Sequence, residues 1–181
     1  MNTATKNLEK DHEYILRLID VMEKMVQTSH TQVVNLETAV NLIKNYADAY
    51  HHAKEENLLF PLLGKKGFSA GQGPVAVMLH DHAQGRNYVK AMTREIENYK
   101  NGNESALALI NENMMGYIVL LRSHIAKEND VLFRMADNVL SENEQQELLQ
   151  EFAKVEKSNF GGGVLNTYIQ SIENLEKLFI K

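Results

Sequence analysis

The 181-residue chain has no cysteine, no tryptophan and only two prolines. The missing cysteine excludes disulfides, thiolate nucleophiles, Cys-ligated zinc and iron–sulfur clusters. The scarcity of proline leaves long stretches free to run as unbroken helix. No stretch approaches the roughly 18 apolar residues of a membrane span. The opening residues, MNTATKNLEKDHEYI, lack an apolar signal core. A cytoplasmic protein with no membrane partner is expected. Long basic clusters are absent as well, and the net charge is -5. That argues against nucleic acid as a partner. What is present is a hydrophobic content of 44%, enough for a globular core, and seven histidines.

Apolar residues recur every three or four positions, the helical period. Leu8, His12, Ile15, Ile19, Met22 and Val26 share one stripe; Val40, Ile43, Ala47, His51, Leu58 and Leu62 share another. Breakers are few: GKKGFSAGQGP before a helix starting near Pro74, NGNES, the capping-box string SENE, and GGG. The pattern predicts long helices over 4–28, 33–63, 74–100 and 105–137, and shorter ones over 142–157 and 164–180. Four long helices with short links are the sequence form of an all-α, antiparallel up-down four-helix bundle. The whole chain, 1–181, is expected to form a single domain, with the bundle in 1–140 and a C-terminal helical extension in 141–181.

One phrase is written twice. HHAKEENLLF begins at His51 and HIAKENDVLF at His124, and six of ten positions are identical. Asp-His also recurs, at Asp11-His12 and Asp81-His82. The chain therefore reads as two copies of one helical hairpin, each with a lone histidine on its first helix and His-x-x-x-Glu on its second. Packed about a pseudo-twofold axis, the copies bring six residues to the middle of the bundle: His12, His51, Glu55, His82, His124 and Glu128.

Residues four apart on a helix lie about 40° apart around its axis, so each His-x-x-x-Glu pair points one way, toward the apolar stripe. Burying an unpaired carboxylate costs several kcal/mol. Two glutamates and four histidines on core-facing stripes call for a shared positive charge, and two metal cations meet that need. Imidazole with carboxylate suits Fe, Mn or Zn better than Ca or Mg. Ferritin-like centres use two Glu-x-x-His strings, and here only Glu9-Lys10-Asp11-His12 has that form. The spacing of His52 and Glu56 also fits a ligand pair. The internal alignment favours His51 and Glu55, because His52 matches Ile125 and Glu56 matches Asn129. His80 lies about 200° around the helix from His82 and is expected at the rim; His30 is expected on a surface loop. Phe60 and Phe133, matched across the repeat, are expected to close the core.

Together DHEYI, HHAKEENLLFPLL, GPVAVMLHDHAQGR and HIAKENDVLF resemble the hemerythrin-like, HHE cation-binding domain family, in a two-glutamate variant. The resemblance covers most of the chain. It implies a non-haem di-iron centre: two Fe ions, oxo- or hydroxo-bridged, with the glutamates bridging and His12, His51, Glu55, His82, His124 and Glu128 as ligands. It implies a small oxidant as reaction partner, O2, peroxide or nitric oxide, and an electron donor that the residues do not identify. Oxygen carriers of the family show five His, one Glu and one Asp, the Asp in a His-x-x-x-x-Asp string. Here the fifth position after His124 is Asn129. Oxidant turnover, as a peroxidase, catalase-like or nitric-oxide-detoxifying enzyme, is the leading expectation. Reversible O2 binding or sensing, and iron storage or donation, are the alternatives. Tyr117, two turns before His124, is the candidate catalytic hydrogen-bond donor.

Overall fold

The computed structural model describes residues 3–28 and 31–180; the expectation for His30 lies outside the described residues. Six helices follow in order: α1, Ala4–Gln27; α2, residues 33–65; α3, Pro74–Lys100; α4, residues 106–139; α5, Glu142–Asn159; and α6, Val164–Phe179. No strand occurs among the described residues. Local chemistry accounts for the ends. The Lys6 amide donates to Thr3 Oγ1 at 3.2 Å to start α1. Gly73, at φ 78°, turns the chain into Pro74, the first residue of α3. Ser141 and Glu144 form the expected capping box on α5. The observed helix bounds lie within a few residues of those read from the sequence.

Helices α1 to α4 form the antiparallel bundle. Its interior is two apolar clusters with a polar layer between them. One cluster contains Ile15, Ala47, Val89 and Leu121; the other contains Leu8, Leu59, Met78 and Leu132. His12, His51, His82 and His124 fall between these residues along their respective helices, and each is buried. The apolar ends hold the bundle shut, at about 1.5–3 kcal/mol for each fully buried aliphatic side chain. The polar layer is carried inside by that packing.

Helices α2 and α4 are not uniformly wound. Over Ile43–His52 and Glu55–Leu59 in α2, and Glu128–Leu132 in α4, the winding is the wider π type. The Phe60 amide donates to the Glu55 carbonyl and the Phe133 amide to the Glu128 carbonyl, each five residues back. Pro61 contributes in α2, because its ring would clash with a normally placed carbonyl four residues earlier. In α4 no proline is involved. The wide turns coincide with the repeated phrase and place its side chains differently from a uniform helix of 3.6 residues per turn.

Helices α5 and α6 lie against α1 and α2. Ile172 and Leu175 are buried against α1, and Arg17 Nε donates to Glu176 Oε1 at 2.8 Å. Phe152 of α5 lies 5.2 Å from Lys54 Nζ. No helix among the described residues is long and apolar enough to cross a membrane.

Candidate metal centre

All six residues singled out by the repeat meet in the polar layer. Two groups of potential ligand atoms form, each with its members within 4.8 Å of one another. One joins His12, His51, Glu55 and Glu128; the other joins His52, Glu55, His82 and His124. Glu55 belongs to both. Its Oε1 lies 3.6 Å from His51 Nε2 and its Oε2 lies 3.5 Å from His82 Nε2. Glu128 Oε2 is 3.2 Å from both His12 Nε2 and His124 Nε2. Both glutamates thus stand between the two groups.

The internal alignment set His52 aside, yet it stands in one of the two groups. It is buried, its ring stacks on His82 at 3.8 Å between centroids, and its Nε2 finds no hydrogen-bond partner. The wide winding of Ile43–His52 lets His51 and His52 both turn inward. Glu56 takes a different part: its Oε1 accepts from His82 Nδ1 at 2.7 Å. His80 is exposed. Tyr117 is buried and lines the same cavity as His52, His82 and His124.

Four of the five imidazoles have a hydrogen-bond partner at Nδ1, which directs Nε2 inward. His12 donates to Asn129 at 2.7 Å, His51 to Asp11 at 3.2 Å and His52 to Asp48 at 3.3 Å. His124 Nδ1 faces Asp81 at 3.5 Å. These contacts explain the repeated letters around the ligands. Asp11 and Asp81 precede the lone histidines yet serve His51 and His124. Lys54 and Lys127, the repeated lysines, pair with Asp11 and Asp81. Glu56 and Asn129, at matching positions, hold the lone histidine of the opposite hairpin. Phe60 stacks on His82 and Phe133 on His12, at 5.9 and 5.5 Å. Each hairpin therefore positions the other's ligand.

The electrostatics show what the layer needs. Burial, with Glu128 alongside, pushes Glu55 well above the usual carboxylate range. Burial pushes Glu128 the same way, but His124 and His12 hold it well below that range. Burial holds His51 and His52 well below their ordinary value, and lowers His82 too. Burial opposes protonation of His124, but Glu128 and Asp81 raise it to about 9. Both oxygens of Glu55 and both of Glu128 are buried with no hydrogen-bond partner. Imidazole nitrogens about 2.1 Å from one ion and at right angles around it stand about 3.0 Å apart. His12 and His51 Nε2 are 2.9 Å apart, and His82 and His124 Nε2 are 3.1 Å apart. The donor set, its spacing and its orphaned oxygens fit metal ions.

The two groups differ in access. A cavity of about 450 Å³ between α2, α3 and α4 reaches His52, His82 and His124, and does not reach His12 or His51.

A four-helix bundle with an inward-facing layer of imidazoles and carboxylates defines a metal-binding helical protein. A family profile of the hemerythrin HHE cation binding domain matches residues 3–136, and the chain belongs to that family. Uncharacterized proteins of Mycobacterium tuberculosis and Mycobacterium bovis are 22% identical to it over 182 residues, covering 97% of this chain and 69% of theirs. No solved structure matches the chain.

Proposed function

We propose that the chain is a two-iron protein that turns over a small oxidant: peroxide, O2 or nitric oxide. One observation carries the reading. The four carboxylate oxygens of Glu55 and Glu128 are buried without hydrogen-bond partners between two groups of imidazoles. A single ion would satisfy one group and leave the other unpaired. His12 and His51 would hold one iron, and His52, His82 and His124 the other, with Glu55 and Glu128 shared. A nitrogen and oxygen donor set without thiolate suits iron. When bound, the iron pair would supply the electrons and Lewis acidity for reaction with the oxidant.

The chain's own residues set the conditions. Asn129, Asp11, Asp48 and Glu56 fix the tautomers of the imidazoles they meet. Burial and Asp48 push the Tyr117 phenol up, so it stays protonated beside the cavity as a hydrogen-bond donor. The electron donor is expected to be a separate reductant.

Reversible O2 binding has one observation in its favour. With His52 counted, the donors are five imidazoles and two carboxylates. The cavity weighs against it, because its lining puts the polar side chains of Asp48 and Arg86 next to the His52 group. Holding O2 intact requires a dry surrounding that blocks proton leakage. Reconstitution with ferrous iron should give close to two metals per chain, an optical band in the near ultraviolet and peroxide turnover. One iron per chain in a folded sample would end the two-iron reading. Repeated colour loss under vacuum and return in air, without peroxide turnover, would assign the protein to reversible binding.

A further inference from the structure

The cavity is far larger than any oxidant named above. Its volume of about 450 Å³ falls in the range of organic-ligand pockets, roughly 300–1,000 Å³, against about 30 Å³ for one water. It follows α3 from His82 to Arg94, a rise of about 18 Å, and so has the form of a slot. The walls beyond the imidazoles are apolar: Ile43, Val89, Leu120 and Leu121, with Gly85 leaving room beside Tyr117. A Cβ on Gly85 would touch the Tyr117 ring at 3.5 Å.

The far end is cationic. Lys44, Lys90 and Arg94 line it, in a chain whose net charge is -5. The acids along the slot are already paired: Asp48 with Arg86 at 2.7 Å, and Asp81 with Lys127. Just outside, Glu37 and Glu97 pair with Lys100 at 2.8 and 3.4 Å. Arg94 is held by its neighbour Glu95 at 2.6 Å. Lys44 and Lys90 have no ion-pair partner among the described residues, and both are exposed at the mouth. An apolar slot closed by imidazoles at one end and opened by two unpaired ammonium groups at the other is complementary to an elongated amphipathic anion.

We propose that this slot binds an aliphatic monocarboxylate, its carboxylate between Lys44 and Lys90 and its chain running along Val89 and Leu120 toward His52. The inference goes beyond the oxidant reading and stands on the slot and its lysines. The test is titration calorimetry of the iron-loaded protein with dodecanoate, and with 1-dodecanol as the uncharged comparison. Wild type should bind one dodecanoate per chain. The double variant K44E/K90E should bind dodecanoate at least tenfold more weakly and 1-dodecanol equally well. Leu120→Trp, which fills the slot, should weaken both at least tenfold; Thr93→Trp at the mouth serves the same purpose should L120W fail to fold. No saturable dodecanoate binding by wild type would overturn the proposal, as would unchanged dodecanoate binding by K44E/K90E, or by a folded slot-filling variant. Iron content is measured on the same samples. Loss of iron with dodecanoate still bound would refute the two-iron reading and leave the slot standing; two irons without dodecanoate binding would do the reverse.

Discussion

The two ends of the metal layer are built from the same ten-residue phrase, yet one is sealed and the other meets a cavity. At the sealed end, Lys54 is fully buried, donating to Asn7 at 3.0 Å and to Asp11, with the Tyr50 ring 4.3 Å away. Phe152 of α5 covers it. At the open end its counterpart Lys127 is 38% exposed. The sealed end offers two imidazoles, His12 and His51; the open end offers three, because His52 has no counterpart at Ile125. A repeated motif thus determines the ligands, while the residues around it determine burial and access. The end with fewer imidazoles is the end away from the cavity.

Metal removal is the broadest way to break the comparison. Each ion held at about 1,000 times its dissociation constant adds about 4 kcal/mol, so two add about 8 kcal/mol, which for a chain of this size corresponds to roughly 15–30 °C in melting temperature. Calorimetry of loaded and chelator-stripped protein reads the shift directly. Removal should also be biphasic, with the open-end ion leaving first. A single phase for both ions would show that the two ends are equally accessible.

Lysine substitutions separate the ends next. Lys54→Met leaves Asp11 buried beside His51 without its main partner and should cost about 3–5 kcal/mol. Lys127→Met removes a partly exposed pair and should cost less than about 1 kcal/mol. Denaturant titration of both variants checks the contrast; equal losses would mean that α5 does not make the difference.

Changes to the imidazoles and their holders should be smaller and more local. His52→Ala should lower retained metal from two toward one, and Asp48→Asn should weaken the open-end ion by about 10- to 100-fold. Full metal content in His52→Ala would return the donor set to the four imidazoles of the internal alignment. Asn129→Ala is expected to have the mildest effect, about tenfold in affinity at the sealed end, the low limit for loss of an outer hydrogen bond. Metal-competition titration with a chromogenic chelator distinguishes these outcomes.

Most of the framework was legible before any coordinates. The 3.6-residue periodicity located the helices, and the doubled phrase with the two Asp-His pairs pointed to the six residues that meet in the centre. His52 was set aside because it matches Ile125 in the internal alignment; the π turns of α2 that face it inward depend on packing that a spacing rule does not contain. The roles of Asp11, Asp81, Lys54 and Lys127 had a visible signal. These letters repeat as strictly as the ligands do, and a repeated charge next to a ligand marks its support. The slot had no such signal, because its lining comes from three helices and emerges only when they pack.

The exchange of supports between the hairpins has a consequence for synthesis. His12 is steadied by Asn129 and Phe133, and His82 by Glu56 and Phe60. The chain leaves the ribosome from its N-terminus, so the first hairpin emerges with Asp11 and Asp48 beside His51 and His52 but without the residues that steady His12. His12 is therefore steadied only when the segment around Phe133 has been made. A chain that stops before His124 lacks both His124 and Glu128, and so completes neither group of potential ligand atoms.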